Sequence, residues 1–121
     1  MFTRIATMTL KPNASGEFTQ LLEKKIVPLF RDEPGFQDLM VFVVPGGPDL
    51  VIVSIWDSKE DAESYEASAY PNVLRILEPL LEKQQPEIES YQLAYSTLHG
   101  TGLSEFPKQS PNVTPVPGVG G

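Results

Sequence analysis

Residues Phe2 to Leu10 are rich in Thr, Ile and Phe with a broadly alternating apolar and polar character, which suits a first strand over residues 2–10. Lys11-Pro12-Asn13 ends it. Over residues 15–31 the spacing changes. Phe18, Leu21, Leu22, Ile26, Leu29 and Phe30 recur every three or four positions, with Glu17, Glu23, Lys24 and Arg31 mostly elsewhere. That pattern predicts an amphipathic helix with Asn13 or Ser15 as its cap. Pro28 falls inside it and, lacking an N–H to donate, is expected to kink or tighten the last turn.

Glu33-Pro34-Gly35 reads as a turn, followed by a second strand over residues 36–44. Pro45-Gly46-Gly47-Pro48-Asp49 reverses the chain into a third strand, Leu50-Val51-Ile52-Val53-Ser54-Ile55-Trp56, which should pair antiparallel with the second. Ser58 and Asp61 have the spacing of a capping box, so a helix is predicted over residues 58–68. Tyr70-Pro71 should interrupt it. A second helical piece carries Val73, Leu74, Ile76, Leu77, Leu80 and Leu81, and a fourth strand is predicted over residues 89–97.

The order βαββαβ is the split arrangement of ferredoxin-like α+β folds, one four-stranded antiparallel sheet with two helices on one face. The other face needs its own explanation. By simple alternation Leu39, Val41 and Val43 point one way, and Phe36, Met40, Phe42 and Val44 the other. In the third strand Val51, Val53 and Ile55 oppose Leu50, Ile52 and Trp56. An antiparallel sheet with one wet face shows a polar row, so two apolar faces predict two covers. Helices supply one; a second copy of the chain, pairing sheet to sheet as a homodimer, is the expected other.

Composition narrows the chemistry. The 121 residues suffice for one domain with a real core, and 40% hydrophobic with 21% charged residues is ordinary for a folded chain. The domain is expected over residues 1–97, and a Pro/Gly-rich tail without helix or sheet over 98–121. Sixteen acidic against nine basic residues give a charge of −7, which repels phosphate backbones and anionic lipid. RNA-recognition domains share the βαββαβ order but need a basic surface and an aromatic strand motif that Leu50–Trp56 lacks, so nucleic acid is not an expected partner. With no cysteine there is no disulfide, thiolate metal site or thiol nucleophile. The alternating N-terminus lacks an apolar signal region and no stretch nears the ~20 apolar residues of a membrane span, so a cytoplasmic protein with no membrane contact is expected.

Two short segments are more specific. Glu33-Pro34-Gly35-Phe36 and Trp56-Asp57-Ser58-Lys59-Glu60 resemble the antibiotic-biosynthesis monooxygenase family, small dimeric α+β barrels of ferredoxin-like subunits. The resemblance extends more weakly over residues 2–97 and does not reach the tail. In many such proteins a histidine follows nine positions after the tryptophan, a serine three later, and often a histidine two beyond that. Tyr65, Ser68 and Tyr70 stand at those positions here. Haem-degrading members need an imidazole on this helix, so the two tyrosines argue against haem. The only histidine, His99, lies past the last strand.

The resemblance implies oxidation of small aromatic or quinol-type substrates by molecular oxygen, with no metal, flavin or other cofactor. Such a site needs an aromatic-binding wall and donors that stabilise an anion. Tyr65, Tyr70 and Asn72 are the candidate catalytic residues, and Trp56, Phe42 and Met40 the candidate substrate contacts. Each has a structural alternative: Trp56 as a core anchor, the tyrosines bonded to backbone, Asn72 as a helix cap. Ser58 is expected only to cap. Glu60, Asp61, Glu63 and Glu66 spread around their helix as a solvated face rather than a metal cluster. The competing function is a non-catalytic dimeric barrel that binds a small hydrophobic ligand.

Overall fold

A computed structural model describes residues 1–83 and 85–98. Four strands, β1 (Phe2–Thr9), β2 (Phe36–Val43), β3 (Asp49–Trp56) and β4 (Glu87–Gln92), form one sheet in the order β2-β3-β1-β4, every neighbouring pair antiparallel. The helical segments are α1 (Ser15–Leu21), a π-helical turn (Leu22–Ile26), α2 (Val27–Arg31), α3 (Lys59–Ser68), α4 (Tyr70–Leu77) and a 3₁₀ turn (Glu78–Leu80). This is the expected ferredoxin-like α+β fold. Among the described residues no helix is long and apolar enough to cross a membrane. The predicted tail lies outside the described residues apart from Leu98.

Register fixes the helix-facing side of the sheet. Arg4 pairs with Ser54, Ala6 with Ile52 and Met8 with Leu50; all six are buried. Above them pack Phe18, Ile26, Phe30, Ala62, Tyr65, Val73 and Leu77, one continuous core with Trp56 at one end. A buried large side chain contributes about 1.5–3 kcal/mol, so this row and the helices above it hold the layers together.

Four boundaries differ from the pattern reading. The first helix is not one regular α-helix, because Pro28 cannot donate to the carbonyl four residues back and its ring crowds that turn. The preceding turn widens instead, and the Val27 N–H reaches Leu22 five residues back. Neither Asn13 nor Ser15 caps α1; Ala14 is the N-cap residue and no side chain bonds there. Asn13 serves a turn with φ +63°, following Pro12 and closed by the Ala14 N–H to Lys11 carbonyl bond at 3.2 Å. Tyr70-Pro71 hardly interrupts the second helical region: Ala69 alone separates α3 from α4, because Pro71 sits in a first turn, where its missing N–H costs nothing. Finally, β4 lies earlier than residues 89–97. Its pairing with β1 ends where Gln92 meets Phe2, and the Leu93 N–H takes the Met1 carbonyl one step on.

A register shift also reassigns one aromatic. Phe36 pairs with Trp56 but Asp38 with Ile55, so two residues of β2 oppose one step of β3. That bulge puts Phe36 on the helix side with Leu39 and Val41, packed against the core, and not with Met40 and Phe42 as strict alternation had it. The outer face retains Ile5, Met40, Phe42, Val51 and Val53 on its three inner-to-edge strands, with Glu87, Glu89 and Tyr91 along β4. Phe42 is 55% exposed and Tyr91 51%.

Candidate functional site

The Pro-Gly turn and the end of β3 form one joint. Gly35 has φ +78°, and a Cβ there would overlap the Asp61 carboxylate, so only glycine fits. The Asp57 N–H donates to the Gly35 carbonyl at 2.8 Å, and Gln37 Nε2 to Asp57 Oδ1 at 2.6 Å. Ser58 caps α3 as expected: its Oγ accepts the Asp61 N–H at 3.1 Å and donates to Asp61 Oδ2 at 3.0 Å. Farther along α3, Ser68 Oγ lies 3.0 Å from Glu33 Oε1, tying the helix back to the turn. This joint ties both ends of α3, the helix that carries Tyr65, to the turn before β2.

Behind the joint is an aromatic stack. Phe30 and Tyr65 lie with ring centroids 4.7 Å apart, Tyr65 and Trp56 at 4.9 Å, Phe36 and Trp56 at 5.6 Å, and Tyr65 and Tyr70 at 6.1 Å. Trp56 is fully buried, and its indole N–H is already taken by Ser54 Oγ at 2.9 Å.

Between sheet and helices sits a cavity of about 10 Å³, lined by Arg4, Ala6, Met8, Phe30, Ile52, Ser54, Tyr65, Tyr70 and Val73. That is roughly the space of one water molecule. Arg4 governs it. The residue is 4% exposed; its Nε lies 3.4 Å from Glu66 Oε1 and its guanidinium carbon 4.1 Å from the Tyr70 ring centroid and 5.4 Å from that of Tyr65. Its Nη2 is enclosed and has no hydrogen-bond partner among the described residues. A buried donor left without an acceptor costs about 1–3 kcal/mol. Burial pushes the Tyr65 phenol well above its usual range, against the opposing pull of Arg4. At neutral pH Tyr65 is therefore a hydrogen-bond donor or an apolar wall, and no proton acceptor of phenolate type.

The structure brings Tyr65 and Tyr70 together at this cavity, with Trp56 stacked one layer behind on Tyr65. It does not bring the other three candidates there. Asn72 is exposed on the outside of α4, where its Oδ1 accepts from Arg75 Nη1 at 2.9 Å. Met40 and Phe42 lie on the opposite face of the sheet. Pattern reasoning missed Arg4 and Ser54. The signal for Arg4 was available: it is the one charged residue in phase with Phe2, Ala6, Met8 and Leu10, and its register places it on the covered face.

A family model for antibiotic biosynthesis monooxygenase matches residues 1–72. The chain belongs to that family. No curated protein sequence matches it. Among solved structures, a monooxygenase from the gene ActVA-Orf6 of Streptomyces coelicolor, in complex with the ligand nanaomycin D, is similar with a TM-score of 0.64. Its identity is 18%, over 74% of this chain and 84% of that one. Rv0793 from Mycobacterium tuberculosis gives 0.59 and 21%, over 74% and 91%. A MhuD variant with two manganese protoporphyrin IX groups per active site gives 0.66 and 13%, over 80% and 98%. At these identities the likeness is one of fold.

The porphyrin-bound neighbour raises haem as a question for this chain. Among the described residues the lining of the cavity contains no imidazole, so nothing there answers to the axial histidine of a haem site.

Proposed function

We propose that this chain is a cofactor-independent monooxygenase of a small aromatic or quinol-type substrate, working as a homodimer in the cytoplasm. The observation that carries the proposal is the buried cavity where Arg4, Tyr65 and Tyr70 meet. Phe30, Tyr65 and Tyr70 give it aromatic walls, and Arg4 and the tyrosines supply donors, the combination that oxidation through a substrate anion requires. In an anthrone-type reaction the reacting CH₂ becomes C=O; one atom of O₂ enters the new carbonyl and the other leaves as water with the two hydrogens. The electrons come from the substrate, so the protein has to bind the ring and favour its deprotonated form. Tyr65 acts as donor, and Tyr70 with it. Asn72 sits too far out on α4 to share that work in this conformation.

The dimer is supported by the outer face of the sheet, where Ile5, Met40, Phe42, Val51 and Val53 form an apolar patch on one subunit. In a face-to-face pair Met40 and Phe42 belong to the interface rather than to the cavity under the helices.

Oxygen uptake with anthrone and quinol substrates, in the presence of a metal chelator, tests the proposal. Uptake that falls sharply in Tyr65→Phe supports it. Saturable binding of these compounds with no uptake would leave the non-catalytic barrel as the better description.

A further inference from the structure

We infer that the C-terminal segment of this chain, residues 99–121, packs across the outer face of its own subunit's sheet, over the row formed by Thr3 and Ile55. It thereby confines a second copy of the chain to the other end of that face.

Burial occurs here where no helix lies. Register puts Thr3 beside Ile55, Ile5 beside Val53 and Thr7 beside Val51, all on the side away from the helices. Exposure along that side is uneven. Phe42, opposite Val51, is 55% exposed, and Val51, Val53 and Ile5 are half-buried, whereas Ile55 is 4% exposed and Thr3 8%. Ile55 nonetheless takes no part in the core under the helices. A side chain on the open face of an antiparallel sheet reaches that degree of burial when something lies over it.

The flanking residues do not account for the cover. On β4, Tyr91 pairs with Thr3 but is half exposed, and its hydroxyl donates to Glu89 Oε2 at 2.5 Å, along its own strand. On β2 the neighbour of Ile55 is Asp38, a small polar side chain whose carboxylate accepts the Leu39 N–H at 2.8 Å. After β4, Tyr95 and Leu98 are largely exposed, so neither is packed down on the row.

The rest of the chain starts from the right place to supply it. β4 finishes at this same end of the sheet, with Tyr91 beside Thr3 and the Leu93 N–H on the Met1 carbonyl. From β4 to β2 the sheet is about 14 Å across at the usual strand spacing, and the stretch from Leu98 to Phe106 reaches about 26 Å when extended. The segment also has the composition of a cover. Leu103, Phe106, Val113, Val116 and Val119 offer apolar side chains, while Glu105 and Lys108 are its only Asp, Glu, Lys or Arg residues, so little charge is desolvated on docking. Pro107, Pro111, Pro115 and Pro117 fix φ in advance and reduce the freedom lost. Phe106, the one aromatic residue of the segment, is the anchor. The surface left for a second copy is then Met40, Phe42, Val51 and Val53, toward the β2–β3 hairpin.

Because the chain has no cysteine, full-length Thr3→Cys carries a single thiol beneath the cover. Its modification by a water-soluble disulfide reagent should be slow, and about tenfold faster or more when Phe106→Ser is added, since release of a packed segment opens the row. Circular dichroism should be unchanged. The slow rate should persist on dilution to concentrations at which sedimentation shows single subunits, because the cover belongs to the same chain. A nitroxide on Ser104→Cys, which leaves both the row and the anchor native, should broaden the NMR amide signals of Thr3 and Ile55 more than those of Thr9 and Asp49; a misfolded Thr3→Cys therefore cannot shield the idea. Fast modification in Thr3→Cys, no acceleration by Phe106→Ser, protection lost on dilution, or broadening strongest elsewhere each overturns the inference. Sedimentation is read separately. A dimer whose thiol is unprotected keeps the association proposal and sinks this one; a single subunit at all concentrations with its thiol protected does the reverse.

Discussion

The guanidinium of Arg4, on the first strand, lies 4.1 Å from the ring centroid of Tyr70, on the fourth helix. This contact spans the two layers of the fold at a point where an aliphatic residue would pack more simply. Its cost sets the first prediction. With Nη2 unsatisfied and the Glu66 contact at 3.4 Å, half exposed, the arginine contributes little net stability. Arg4→Met should therefore raise the unfolding free energy, by about 1 kcal/mol, as buried charges replaced by apolar side chains often do. Urea denaturation checks the sign, and oxygen uptake by the same variant should be lost.

Tyr65 predicts an alkaline effect. Burial raises its phenol above the ordinary value, with Arg4 pulling the other way. Between about pH 10 and the higher folded-state value, the folded chain keeps a proton that the unfolded chain has released. Stability is thus complete below about pH 10 and falls as pH rises through that window. In Tyr65→Phe the fall should be shallower. Tyr91, raised by its hydrogen bond to Glu89, titrates in both proteins and cancels in the comparison. Denaturation curves at a series of alkaline pH values measure the difference.

Gly35 predicts a coupled pair. Gly35→Ala meets both a left-handed backbone and the Asp61 carboxylate, and should cost about 2 kcal/mol or more. Asp61→Ala removes the closest overlaps, with the carboxylate carbon and oxygen, but leaves the Cβ of residue 61 at 2.7 Å from the added methyl and the backbone strain in place. The double variant should accordingly be more stable than the sum of the single effects, a coupling of the kind that contacting residues show. A thermal-melting cycle over the four proteins gives the number.

Phe42 tests the association. It is 55% exposed on the edge strand β2, at one side of the outer apolar patch, and Phe42→Lys would place a charge on the face proposed to pair. Sedimentation equilibrium at micromolar concentration should show a dimer for the wild type and mainly monomer for the variant, with little change in oxygen-independent properties such as the circular dichroism spectrum.

How far such residues could be recognised from the chain alone depended on the kind of information each required. Periodicity located all four strands and every helical region, because alternation and three-to-four spacing follow directly from which side is covered. Ser58 was legible as a cap because its partner Asp61 is local. Phe36 was not legible on its correct face, since a bulge leaves no mark in the alternation. The end of β4 depended on where β1 begins, a pairing property rather than a property of residues 89–97. At the site, Tyr65 and Tyr70 were found through the spacing after Trp56, and they do share a cavity. Asn72 is near them in the chain but on another side of α4, and Met40 and Phe42 are separated from them by the sheet. Arg4 needed cross-strand register, which paired it with Ser54 under the helices.

The single tryptophan of the chain, Trp56, is sealed from water and stacked 4.9 Å from the ring of Tyr65, itself a wall of the cavity. The protein therefore contains its own optical sensor. Its fluorescence should be blue-shifted at rest, and a coloured quinone or phenolate lodging beside Tyr65 should quench it by energy transfer, so that occupancy can be followed in real time without any added label.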